Sequence, residues 1–177
     1  MKNLNIEIKA QIDDPERIRR FLLERGAEFR GTDHQIDTYF TVARGRLKIR
    51  RGTIENCIVW YERPDNTGPK RCDYLIEKFP EEGTTLESIG HMLEASLGIR
   101  AVVDKQREIY FIGNVKFHID DVAGLGSFFE IEAIGGEDMG EEELRRQCGD
   151  YLAALCITDS MLLRTSYCDM IERRNSD

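Results

Sequence analysis

The chain has 177 residues, 41% hydrophobic and 33% charged, with a net charge of −8. That length supports one domain over residues 1–177 with a sizeable core, and the composition is that of a folded soluble chain rather than a disordered one. The acidic balance, with no basic run longer than Arg50-Arg51 or Arg173-Arg174, excludes general nucleic-acid binding, and no apolar stretch reaches membrane-spanning length.

Residues 3–12 read as a strand. A helix follows from Pro15 to Arg25, with Asp14 as N-cap, Pro15 at the first helical position, Gly26 as the stop, and Ile18, Phe21 and Leu22 as its buried stripe. Glu28 to Arg30 and Gln35 to Val42 read as strand material, and Gly45 turns the chain into Leu47 to Arg51. The strand Cys57 to Arg63 ends at Pro64, and a loop rich in turn formers leads to Arg71 to Phe79. Thr84 and Glu87 make a capping box for a helix over Thr85 to Leu97, closed by Gly98. Three strands come next, Ala101 to Ile112, Val115 to Val122 and Ser127 to Ile134, the first two joined at Gly113-Asn114. Two helices, Glu141 to Leu155 and Asp159 to Arg173, complete the chain. About eight strands interrupted irregularly by helices predict an antiparallel α+β arrangement, because a parallel sheet needs regular alternation of strand and helix.

Within these strands, charge alternates with bulky apolar residues. Asn5, Glu7 and Lys9 share one face of the first strand, and Leu4, Ile6 and Ile8 share the other. The pattern returns in Leu47-Lys48-Ile49-Arg50, in Val115 to Asp120 and in Phe129 to Ala133. If such strands close into a barrel with the charged faces inward, the interior becomes a polar channel, basic on some walls and acidic on others. Such a channel suits a polyanion carrying metal ions. The five cysteines contain no C-x-x-C pair and read as reduced thiols. The N-terminus lacks the apolar core of a signal peptide, so the expected location is cytoplasmic with no membrane partner.

Taken in order, Asn5-x-Glu7-x-Lys9, Asp37-Thr38-Tyr39-Phe40, Leu47 to Arg50, Lys105-x-Arg107, Asp120, Gly124 to Glu132 and Ser166-Tyr167 resemble the CYTH superfamily of triphosphate tunnel metalloenzymes. The superfamily is named for class IV adenylyl cyclase and thiamine triphosphatase. The resemblance implies a closed antiparallel β-barrel of about eight strands with flanking helices. It implies Mg²⁺ or Mn²⁺ held by Glu7, Asp120, Glu130 and Glu132, hard oxygen ligands suited to such ions. It further implies phosphate binding by Lys9, Lys48, Arg50, Arg63, Lys70, Lys105 and Arg107, with Lys9, Arg50 and Arg107 as catalytic cations that stabilise charge on the leaving group. Arg30, Arg51 and Lys78 read as ordinary surface bases, and His118 first as a hydrogen-bonded structural histidine, although it shares a face with Asp120 from which it could reach substrate or a metal-bound water. The family's N-terminal signature has a first Glu where this chain has Asn5, which weakens one metal site.

The loop from Arg63 to Lys70, and Ser166-Tyr167 with Asp169, look most like the class IV cyclase branch, implying conversion of ATP to cyclic AMP and pyrophosphate. The alternatives are hydrolysis of tripolyphosphate, thiamine triphosphate or a nucleoside triphosphate, and non-catalytic binding of a triphosphate or polyphosphate. The sequence leaves the oligomeric state open, a homodimer included.

Overall fold

Strands with one charged and one apolar face need two environments, and the chain supplies them by closing a cylinder. A computed structural model of the chain describes residues 3–79, 84–136 and 139–176. Its strands are β1 (Asn3–Gln11), β2 (Glu28–Phe40), β3 (Arg46–Gly52), β4 (Asn56–Glu62), β5 (Lys70–Phe79), β6 (Ile99–Ile112), β7 (Val115–Val122) and β8 (Gly126–Ile134). They form a closed barrel in the order β1-β5-β4-β3-β2-β6-β7-β8, and β8 returns to pair with β1. Every neighbouring pair is antiparallel. The register sets Lys9 opposite Glu130, Glu130 opposite His118 and Asp120 opposite Arg107, so the charged faces all meet in the lumen.

The larger part of the hydrophobic core therefore lies outside the barrel. The outward residues Ile6, Ile8, Phe117, Phe129 and Ile131 are buried beneath α1 (Pro15–Glu24) and α3 (Glu141–Ala154), which contribute Ile18, Leu22, Leu144 and Cys148. On another side of the cylinder, α2 (Thr84–Leu97) lays Leu86 over Phe40 and Ile49. Asp14 caps α1 through Arg17 N at 3.0 Å, as expected. Helix α2 begins at Thr84 itself, and the side chain expected to cap it lies outside the described residues.

Two elements differ from expectation. The segments on either side of Gly31 form one continuous strand, β2. Gly31 takes φ +118° at a register shift against β6, a bulge that only glycine adopts without strain, and β6 supplies partners along the whole length. The expected helix from Asp159 is instead a 3₁₀ turn at Asp159–Met161, a bridge from Leu162 to Ala10, and then α4 (Tyr167–Ser176). Leu163 N donates to Lys9 O at 2.9 Å, so this apolar stretch follows the barrel's rim rather than forming a helical stripe. The helix restarts at a capping box: Ser166 Oγ accepts from Asp169 N, and the Asp169 carboxylate accepts from Ser166 N at 3.0 Å.

Asp169 ties α4 across one end of the barrel, because Arg46 of β3 and Arg100 of β6 each reach it at 2.9 Å. Burial opposes its ionisation, but the Ser166 hydrogen bonds and Arg46 outweigh that and hold its pKa down to about 2. An unfolded Asp titrates near 3.9, so the stabilisation is complete above about pH 4 and lost as pH falls toward 2. Asp169→Asn is expected to cost about 2 kcal/mol at neutral pH. Urea unfolding from pH 6 to pH 3 should show the gap from the parent protein narrowing; a constant gap would mean that ionisation is not what the carboxylate contributes.

Candidate active site

The inward faces enclose a cavity of about 1030 Å³. Arg30, Ile54 and Lys78 are exposed lining residues and mark its open mouth, whereas Ser166 and Tyr167 are buried at the other end. There Phe128 packs at a tilt against Tyr167 with ring centroids 5.0 Å apart, within an apolar cluster that includes Val103, Val122 and Cys168.

One wall is basic. Lys48 and Arg50 of β3 and Lys105 of β6 converge on Asp37 of β2, with Lys48 and Lys105 Nζ each 2.7 Å from Asp37 Oδ2 and Arg50 Nε 2.8 Å from Oδ1. Burial works against the charge on Asp37, yet these three cations hold its pKa well below the usual carboxylate range. Burial likewise pushes Lys105 down, because Asp37 offsets only part of the desolvation. Farther round, Arg107 makes a bidentate pair with Asp120 at 2.6 Å and reaches Glu130 at 2.8 Å.

The facing wall, from β1, β7 and β8, is acidic. His118, Glu130 and Glu132 each offer a ligand atom, all within 4.8 Å of one another. Lys9 approaches Glu130 at 3.4 Å and stacks 3.5 Å over the Tyr167 ring, while Arg63 pairs with Glu7. Burial, Arg107 and Lys116 push the His118 pKa down to about 3, so its imidazole is neutral at physiological pH. Lys9, the His118 hydrogen bond and Arg107 overcome burial to keep Glu130 ionised, whereas the enclosed setting and the charges of Glu130 and Glu7 raise Glu132 to about 7. A hard divalent cation fits this donor set: two carboxylates of unequal basicity and an imidazole whose buried Nε2 has no partner among the described residues. Bound there, such an ion would favour the ionised form of Glu132.

The structure brings Glu7, Lys9, Lys48, Arg50, Arg63, Lys105, Arg107, Glu130 and Glu132 to the cavity wall. Two expected residues stand elsewhere. Lys70 does not line the cavity; its Nζ donates to the carbonyls of Leu163 and Arg164 at 2.8 and 2.9 Å, bracing the segment that leads into α4. Asp120 stands apart from the carboxylate–imidazole group, because Arg107 and the Tyr167 hydroxyl, at 2.7 Å, take up its oxygens. Conversely, Arg30 and Lys78, read as surface bases, sit at the mouth. His118, read as structural, joins the ligand group, and its inward parity with Asp120 was the available signal. Asp37 and Glu55 are inward carboxylates that sequence reasoning did not assign. Asn5 lines the cavity with its Oδ1 buried and without a partner among the described residues.

A closed antiparallel barrel with a lumen of opposed cations and carboxylates, sealed at one end, defines a tunnel protein for a polyanionic ligand. The CYTH domain family matches residues 3–165, and the chain belongs to that family, whose tunnel enzymes use divalent metal ions. A Methanocaldococcus jannaschii protein named "Putative adenylate cyclase MJ0240" is 28% identical over 94% of this chain and 98% of its own. The PH1012 protein of Pyrococcus horikoshii OT3 is 25% identical, with a TM-score of 0.78 over 94% of this chain and 99% of that one. The Hippeastrum protein HpAC1, described as having a dominant triphosphatase activity, shares the fold at 12% identity, with a TM-score of 0.61 over 98% of this chain and 96% of its own.

Neutralising the Asp37 hub takes the counter-charge from buried Lys48 and Lys105 and leaves Arg50 with Glu55. Asp37→Asn is expected to lower stability by roughly 3–5 kcal/mol, with added tripolyphosphate restoring part of it, as read by thermal unfolding with and without the anion. A variant as stable as the parent would show that the hub is not an electrostatic keystone.

Proposed function

We propose that the protein is a divalent-metal-dependent enzyme acting on a nucleoside triphosphate in the manner of class IV adenylyl cyclases, converting ATP to cyclic AMP and pyrophosphate. The observation that carries this reading is the order of polarity along the cavity. The interior is charged, while Ile54, Ile76, Phe79, Phe111 and Ile134 give the open mouth an apolar rim. A nucleotide entering phosphate first would leave its base against that rim, where aromatic and aliphatic surface suits a stacked heterocycle. The name of the M. jannaschii relative points the same way.

In this reading Lys48, Arg50, Lys105 and Arg107 hold the phosphate oxygens and stabilise the charge that builds on the departing pyrophosphate. Their present partners, Asp37 and Asp120, keep them oriented before the ligand arrives, so little reorganisation accompanies binding. Glu130, Glu132 and His118 would hold the metal, which when bound supplies acidity to the attacking hydroxyl and positive charge to the phosphates. Lys9, fixed between Glu130 and the Tyr167 ring, lies beside that group and contributes a cation at the sealed end.

A second reading is hydrolysis of a triphosphate by water in the same tunnel, favoured by the activity described for the Hippeastrum fold neighbour. Phosphorus NMR of ATP, tripolyphosphate and thiamine triphosphate, each with Mg²⁺ or Mn²⁺, separates the two. Cyclic AMP and pyrophosphate from ATP are expected; orthophosphate from tripolyphosphate with no cyclic product would replace the cyclase reading by the hydrolase one. Glu130→Gln and Glu132→Gln should each lower metal-dependent turnover about a hundredfold or more, with melting temperatures reported alongside. Full rates at limiting metal in both variants would remove these carboxylates from the metal site.

A further inference from the structure

The loop between β3 and β4 carries a carboxylate with no role in the scheme above. Glu55 lies at the open mouth of the cavity. One of its oxygens accepts from Arg50 Nη1 at 2.7 Å, the other from Lys116 Nζ at 2.6 Å, and Gln35 Nε2 adds a bond at 3.2 Å. Arg50 belongs to β3 and Lys116 to β7, which are separated in the barrel by β2 and β6. The side chain thus bridges two walls across the lumen, holding an anion between cations that face each other.

Its backbone is fixed independently of that bridge. The buried Asp33 carboxylate accepts from the Ile54 and Glu55 amides at 2.8 and 3.0 Å and from the Thr53 hydroxyl at 3.0 Å. Gly52 makes room for it, since a Cβ at that position would stand 2.7 Å from Asp33 Oδ1. Asn56 closes the loop through two hydrogen bonds to the Gly52 backbone. The result is a rigid loop bearing a side chain that remains 27% exposed. Asp37 provides the contrast: its side chain is 1% exposed and pinned by three cations, so it belongs to the frame.

We propose that Glu55 is a built-in substitute for a substrate anion: its carboxylate fills an anion subsite between Arg50 and Lys116 and swings out when an outer phosphate of the ligand takes its place. This rests on the triphosphate reading. Two oxygens of a phosphate can accept from the same two donors, and because the loop is anchored by Asp33, release requires only side-chain rotation. The device sets a threshold. A ligand must bring enough charge, anchored deeper in the tunnel, to displace a tethered carboxylate, so small anions are rejected while a chain of phosphates is admitted.

The test is calorimetric titration of wild type, Glu55→Gln and Glu55→Ala with tripolyphosphate and with inorganic phosphate, in EDTA. Both variants should bind tripolyphosphate about tenfold tighter than wild type, and Glu55→Ala should also take up inorganic phosphate that wild type ignores. Thermal melts establish that the proteins are folded; Glu55→Gln keeps the shape and decides the matter if the alanine variant does not fold. Equal or weaker binding by the folded variants overturns the proposal and makes Glu55 a simple support for Arg50. Wild-type binding of tripolyphosphate reports separately on the basic wall: binding without a gain in the variants sinks only the Glu55 proposal, a gain without detectable wild-type binding upholds it, and silence from all three overturns it, the metal-dependent triphosphate reading itself being judged by the turnover assay above.

Discussion

A charge taken out of water must meet a counter-charge, and in this protein that requirement is met inside a barrel. The alternation that buries Ile6 and Ile8 on one side of β1 forces Glu7 and Lys9 into the lumen, and the same holds on β3, β6, β7 and β8. None of these groups could be tolerated singly. They are tolerated because each cation reaches a carboxylate on another strand: Lys48, Arg50 and Lys105 on Asp37, Arg107 on Asp120 and Glu130, and Arg63 on Glu7. The apolar core is consequently displaced to the outer surface, which explains why the barrel needs α1, α2 and α3 as cladding. The helices cover what other barrels keep inside.

This internal balance also prepares the lumen for a ligand. A cavity lined by cations alone would expand or draw in counter-ions, whereas one lined by paired charges keeps its shape and can exchange partners. A polyphosphate arriving at the basic wall shares cations already oriented by Asp37 and Asp120, so much of the ordering entropy is spent in folding rather than in binding. The effect of burial on Lys105 and Lys9, which lowers their pKa, would be offset by the added negative charge, tightening the wall on its ligand. Stability and binding thus draw on the same ion pairs.

Most of this was legible in the sequence because period-two alternation fixes which face a residue occupies. Parity alone puts Glu7, Lys9, Glu130 and Glu132 on the charged faces of their strands, whereas Arg107 is assigned through the family resemblance. What parity cannot give is which inward groups meet across it. His118 joins Glu130 through the β7–β8 register, and Asp120 is withdrawn by Arg107 and by a tyrosine 47 residues along the chain. Asp37 falls within a motif of the resemblance but is given no role there, because a carboxylate gives no hint, read alone, that three cations surround it. Lys70 is assigned to phosphate binding through the resemblance, and its partners in the fold are carbonyls of a segment expected to be helical. Glu55 sits in a loop, where alternation says nothing.

The sealed end has a consequence for traffic. With Tyr167, Phe128 and α4 across one opening, the cavity is a cul-de-sac rather than a corridor, and its contents can only be exchanged in reverse order of loading. A ligand that enters phosphate first puts its phosphates deepest, so whatever is cut from the nucleoside side stands between them and solvent. Under the proposed cyclase reaction, pyrophosphate would then be the last to depart, held longest by the basic wall, and its escape rather than the bond-breaking step would govern how soon the tunnel is ready for another molecule.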